Sequence, residues 1–169
     1  MINLDLGELP DKVNVFIEIP QGSAMKYELD KESGVLFADR LVPVSMVYPI
    51  NYGFIPGTHA EDGDCVDVLV LSTQPFQSGT AVKCRILGLL EMEDGEGPDT
   101  KIIAAPIEKV DAFLAHVNYI DDIPQIKKDQ IKHFFDNYKD LEPGKWVKTG
   151  NYLGKEEALE AIKRAVKCL

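Results

Sequence analysis

Asp62-Gly63-Asp64-Cys65-Val66-Asp67 places three carboxylates within six residues, with a glycine between the first two. Acids this close repel, and each resists ionising beside the others. Open solvent relieves the repulsion. So does a divalent cation, which prefers hard carboxylate oxygens. The spacing is not that of a calcium EF-hand loop, which needs glycine at its sixth position and glutamate at its twelfth. Those positions are Asp67 and Thr73 here. Taken alone, the segment reads equally as a solvated acidic turn, since Asp and Gly favour turns.

Other segments carry the same ambiguity. Glu91, Glu93, Asp94, Glu96 and Asp99 surround Gly95, Gly97 and Pro98, with Lys101 just beyond. They form either a solvated hairpin connection or the second half of a multi-carboxylate metal site. Lys26 and Glu28 share one face of a strand whose other face carries Met25, Tyr27 and Leu29. That pair is either an exposed ion pair or a phosphate-binding lysine beside a metal-binding glutamate. Tyr48 and Tyr52 are an even number of residues apart, so extended backbone puts them on one face. There they serve the core or lend hydroxyls to a polar site. Tyr138-Lys139 ends a predicted helix, where the dipole alone accounts for a lysine. Arg40 and Lys148 are ambiguous singly.

Several chemistries are excluded. Gly144-Lys145 is followed by Trp146 and lacks the upstream glycine of a P-loop. His59, His116 and His133 have no zinc-like spacing. No Gly-x-Ser-x-Gly segment or Cys/His pair announces a nucleophile.

The elements that must position these residues are legible in outline. In Val13–Ile19 every odd position is aliphatic, a strand period. Met25–Leu29, residues 35–37, 46–55, 66–71, 81–91 and 101–107 are further strand candidates, separated mostly by Pro and Gly. The last third reads as helical. Ile123, Ile126, Gln130, Phe134 and Tyr138 follow one helical spacing, with Pro124 near the start. Ala158, Leu159, Ile162, Ala165, Val166 and Leu169 form a second apolar stripe. Glu160 and Arg164 make an i,i+4 surface pair. Short strands followed by helices point to an α+β fold whose body is a closed or nearly closed barrel.

The bulk properties narrow the partners. The 169 residues match the size of one domain, residues 1–169, with room for a real core. A net charge of −10 disfavours a nucleic-acid backbone, which needs a basic footprint. It leaves open a small anion, because bound metals reverse local charge. Three cysteines without metal-like spacing fit a reduced, cytoplasmic setting. The first residues lack a signal-peptide pattern, and no apolar run approaches the ~20 residues that span a bilayer, so no membrane partner is expected.

Together these blocks resemble the soluble family I inorganic pyrophosphatases in their short bacterial form. The family signature is Asp-Gly-Asp-Pro-x-Asp, and the chain departs from it only at Cys65. Ile17-Glu18-Ile19-Pro20, Lys26-Tyr27-Glu28, Asp39-Arg40, Tyr48-Pro49-x-Asn51-Tyr52-Gly53 and the block from His133 to Leu141 match in order. The resemblance implies a small OB-type five-stranded β-barrel with flanking helices, and usually a homohexamer. It implies hydrolysis of inorganic pyrophosphate to two phosphates by a metal-activated water held between carboxylate-bound Mg²⁺ ions. Several ions bind per subunit, with Mn²⁺ or other divalents as alternatives. By the same resemblance, Asp62, Asp67 and Asp99 hold the activating metal, while Glu28 and Asp94 assist with metals that arrive with substrate. Asp64 is the general base and Glu18 a supporting acid. Lys26, Arg40, Tyr52, Tyr138 and Lys139 contact phosphate, with Tyr48 and Lys101 behind them. The competing reading is a non-catalytic OB-type module for an anion or single-stranded nucleic acid. Such modules need a basic groove with stacking aromatics, against which the charge and acidic clusters argue.

Overall fold

Alternating aliphatics make Val13–Ile19 the first strand, β1, and Val13, Val15, Ile17 and Ile19 are all fully buried. The protein is described here by a computed structural model covering residues 4–60 and 63–167. Eight further strands follow: β2 Met25–Leu29, β3 Leu36–Leu41, β4 Asn51–Phe54, β5 Asp67–Val70, β6 Ala81–Asp94, β7 Gly97–Pro98, β8 Lys101–Pro106 and β9 Val147–Leu153. Two α-helices, α1 Gln125–Asn137 and α2 Lys155–Lys167, and two single-turn 3-10 helices, Ala112–Leu114 and Ile120–Asp122, complete the elements.

Five strands close a ring. β1 pairs with β4, β4 with β5, β5 with β8, β8 with β6, and β6 returns to β1. Only the β5–β8 pairing is parallel among these. Closure removes the unpaired edges that an open sheet would present. This is the expected OB-type barrel with helices on its flanks. The ring closes because β6 is long. Residues 81–84 serve β1, residues 84–90 serve β8, and the last residues serve β9 and β7. The β2–β3 hairpin stands apart as its own two-stranded sheet. It carries Lys26, Glu28 and Arg40.

Each helix seals one part of the core. Ile131, Phe134 and Phe135 of α1 pack in a cluster with Tyr48, Leu69, Leu90 and Ile103. Ala158, Ile162 and Ala165 of α2 share a cluster with Val15, Ile86 and Ile102. Leu159 and Val166 lie partly buried against it, and Leu169 is outside the described residues.

Three expectations need correction. The last third is not all helical: β9 intervenes and pairs with β6. Its sequence, Val-Lys-Thr-Gly-Asn-Tyr-Leu, buries only Thr149, so its period was weak. The α1 stripe is shifted, and Ile126 is 69% exposed, because the buried face runs through Ile131, Phe134 and Phe135. The strand expected over residues 46–55 shrinks to Asn51–Phe54. Pro49 has no N–H for a ladder, and Tyr48 instead pairs through Ser23 and Gly22.

Gly53 matters to the ring because β1 crosses it closely. A Cβ there would lie 2.0 Å from Phe16 O and 2.8 Å from Phe16 C. Backbone cannot swing aside as a flexible side chain does. Gly53→Ala is therefore expected to cost about 3 kcal/mol or more in a denaturant melt, and a loss under about 1 kcal/mol would show that the β1–β4 contact is soft.

Candidate active site

The buried end of the site is built by register. β5 starts at Asp67 opposite Phe54 of β4, and β8 runs parallel to β5 from Lys101. Tyr52 Oη donates to Asp67 Oδ2 at 2.6 Å. Lys101 Nζ lies 2.5 Å from Asp67 Oδ2, 2.5 Å from Asp99 Oδ1 and 3.2 Å from Tyr52 Oη. Lys101 is 3% exposed. Burial alone would depress its ammonium, but Asp67 and Asp99 outweigh that and hold it above the ordinary lysine range. Burial pushes Asp99 up despite the lysine, and pushes the Tyr52 phenol up with Asp67 adding to it.

The β2–β3 hairpin supplies the outer wall. Lys26 Nζ lies 3.2 Å from Glu28 Oε2 and 3.1 Å from Asp39 Oδ2. Arg40 donates to Asp39 at 3.1 Å and reaches Glu142 at 3.2 Å. Lys31, near the hairpin tip, meets Asp64 Oδ1 at 2.8 Å. Across the mouth, Lys139 meets Asp94 Oδ2 at 3.0 Å. Burial raises Asp94, but the Glu96 N–H and Lys139 more than reverse this and leave it below the usual carboxylate range. Aromatic packing fixes the tyrosines: Tyr138 stacks on Phe134 with centroids 5.2 Å apart, and Tyr48 lies 4.7 Å from Phe134 and 5.9 Å from Tyr52.

These groups line one cavity of about 280 Å³. Acids Glu18, Glu28, Asp64, Asp67, Asp94 and Asp99 face it, as do the cations Lys26, Arg40, Lys101 and Lys139. Tyr48, Tyr52 and Tyr138 complete the set expected from sequence. Asp62 lies outside the described residues. Lys148 does not line the cavity; it sits on β9 opposite Glu93. Sequence reasoning missed Lys31 and Glu142, and gave no partner role to Asp39. Only their salt bridges reveal them, because an isolated charge on a hairpin carries no pattern. Cys65 lines the cavity, half-buried beside Phe16, Leu29 and Phe54. Burial pushes its thiol up.

Glu18 is the outlier among the acids. Its Oε1 accepts the Leu29 N–H at 2.8 Å. Burial raises its pKa from 4.5 to about 7; the Leu29 N–H opposes this, and Asp67 and Glu28 add to it. The folded chain thus binds this proton more tightly than the unfolded chain. Stability of metal-free protein should fall as pH rises from 4.5 to about 7, by on the order of 3 kcal/mol from this group. Melting in chelator across that window should show the slope, and Glu18→Gln should flatten it. An equal slope in the variant would assign it to other acids.

The donor set suits a hard cation: many carboxylate oxygens and no imidazole. Among the described residues, no three His, Cys, Asp or Glu side chains form a ready cage. The Lys101 ammonium bridges Asp67 and Asp99 instead.

Comparison with known proteins agrees with the geometry. A family model described as inorganic pyrophosphatase matches residues 15–169. The chain is similar to the inorganic pyrophosphatase of Aquifex pyrophilus, 54% identical over 157 residues, covering 93% of this chain and 89% of that one. The Aeropyrum pernix enzyme of the same name is 51% identical over 159 residues, covering 94% and 90%. The solved inorganic pyrophosphatase of Helicobacter pylori superimposes with a TM-score of 0.96 at 48% identity, over 99% of this chain and 98% of that one. A barrel of this topology, the acids and bases gathered at one cavity, and these likenesses over nearly the whole chain together place it: the chain belongs to the inorganic pyrophosphatase family.

Proposed function

We propose that this chain, an inorganic diphosphatase by family, hydrolyses pyrophosphate to two phosphates with Mg²⁺ held by Asp62, Asp67 and Asp99. The observation that carries the reading is the pairing of acids with bases throughout one cavity. Lys26, Arg40 and Lys139 are each held by a carboxylate: Asp39 with Glu28, Asp39 with Glu142, and Asp94. A polyanion entering with divalent cations exchanges these contacts. Phosphate oxygens take the lysine and arginine donors, and the released carboxylates face cations. A protein of charge −10 thereby binds a polyanion without a basic surface.

The roles follow from chemistry and position. When bound, Mg²⁺ would lower the pKa of a water and offset substrate charge. Asp64, at the rim, would accept the proton of the attacking water. Glu28 and Asp94 face cations that accompany the substrate. Arg40 presents a planar fork to a phosphate edge, while Lys26 and Lys139 act as point charges on developing negative charge. Tyr138 orients phosphate through its hydroxyl, Tyr52 does so once its hydroxyl leaves Asp67 Oδ2, and Tyr48 packs behind them. Glu18 holds the Leu29 end of the hairpin by accepting the Leu29 N–H.

Phosphate release from pyrophosphate should require Mg²⁺ and stop with chelator. Metal-independent turnover, or none with any divalent cation, overturns the reading. The chain is further proposed to assemble as a homohexamer. Phe113 is 80% exposed, and Ile126 and Leu141 are nearly as open, apolar surface that association would cover. Light scattering that finds a monomer would overturn the assembly. Cys65 and Cys84 are free thiols, in keeping with a role in the cytoplasm.

A further inference from the structure

Lys101 is the one buried lysine or arginine among the described residues. An ammonium has three N–H donors. Here three acceptors surround it: Asp67 on β5, Asp99 just before β8, and Tyr52 on β4. No donor remains for a phosphate oxygen, in contrast to Lys26 and Lys139, whose side chains are partly open. The two carboxylates it bridges are two of the three assigned to the activating metal. Without a cation between them they would be a half-buried like-charge pair, and each would resist ionising beside the other.

We propose that Lys101 is an internal counter-cation. It holds Asp67 and Asp99 in place while the site has no metal, and its positive charge keeps divalent binding there weak enough to reverse. It is a positioning residue, acting through the two aspartates. The inference rests on the metal reading above. Coulomb repulsion between a lysine and a divalent ion a few ångströms apart is large even in a partly polar site. Its removal therefore tightens metal binding, whereas loss of a merely structural strut would loosen it.

The test is calorimetric titration of the metal-free full-length protein with Mg²⁺. Lys101→Met keeps the length and removes the charge; its first site is expected to bind at least about tenfold tighter than the wild type. Lys101→Arg, which keeps the charge, is expected to match the wild type within about threefold. In chelator, Lys101→Met should melt well below the wild type, and saturating Mg²⁺ should restore most of the difference. Equal or weaker Mg²⁺ binding by Lys101→Met overturns the inference and leaves the metal reading standing. Wild-type protein that binds no Mg²⁺, Mn²⁺ or other divalent overturns the metal reading and the inference together. Should Lys101→Met not fold without metal, the wild type decides. The Lys101 ammonium signal in nitrogen-15 NMR should be protected in chelator and shift on Mg²⁺ saturation, and a signal unmoved by saturation overturns the inference.

Discussion

Asp67→Asn is expected to lower kcat/KM for pyrophosphate by about 10²–10³ while moving the melting temperature by only a few degrees. The asymmetry follows from what the amide keeps and what it loses. Asn has the same shape, and its Oδ1 still accepts from the Tyr52 hydroxyl that sits 2.6 Å from Asp67 Oδ2. Lys101 keeps Asp99 and Tyr52 as partners. The side chain is 26% exposed, so the charge removed is partly screened. A stability cost of about 1–2 kcal/mol is therefore expected, a few degrees in a chain of this size. The activity loss is larger because a neutral amide is a poor ligand for a hard dication, and one misplaced electrostatic group costs about 10²–10³ in other sites. Raising Mg²⁺ should recover part of the loss. Near-normal turnover at ordinary Mg²⁺ would show that Asp67 is not a ligand. Activity lost in step with a collapse of the melting temperature would make it structural.

The barrel and its contents differed in how far the sequence disclosed them. β1 announced itself because aliphatics alternate without a break, and α2 because its apolar stripe keeps one face from Ala158 to Ala165. β9 did not, since its partners lie some sixty residues away on β6 and its own alternation is interrupted by Gly150 and Asn151. The site divides similarly. Asp64 and Asp67 are neighbours in sequence, so their convergence needed no fold. Tyr52, Asp99 and Lys101 reach Asp67 only through strand register, and only the resemblance joined them beforehand. No sequence pattern carried Lys101's saturation by three acceptors, Lys31's hold on Asp64 or Glu142's on Arg40. Each of these depends on where a side chain ends, which spacing does not encode. Cys65 gains a physical place: a half-buried thiol fits the apolar corner of Phe16, Leu29 and Phe54.

Asp64→Asn is expected to separate proton transfer from metal holding within the same loop. Its side chain is 78% exposed, and its ion pair with Lys31 spans 2.8 Å in open solvent, worth under about 1 kcal/mol. The variant should melt within a degree or two of the wild type. Loss of a positioned general base typically costs about 10²–10⁴ in rate, so kcat should fall by that factor. The Mg²⁺ concentration for half-activation should move only a few-fold, in contrast to Asp67→Asn. Lys31→Met supplies the control, because it removes the ion pair to Asp64 Oδ1 while leaving the carboxylate itself. If Asp64 acts as a base, Lys31→Met should change kcat by less than about tenfold, for the carboxylate still has lone pairs to receive a proton. If the two variants lose kcat equally, the ion pair rather than the proton is what the reaction needs. Asp64 would then serve by tying the signature loop to the β2–β3 hairpin, and the base would have to be sought among the other acids of the cavity.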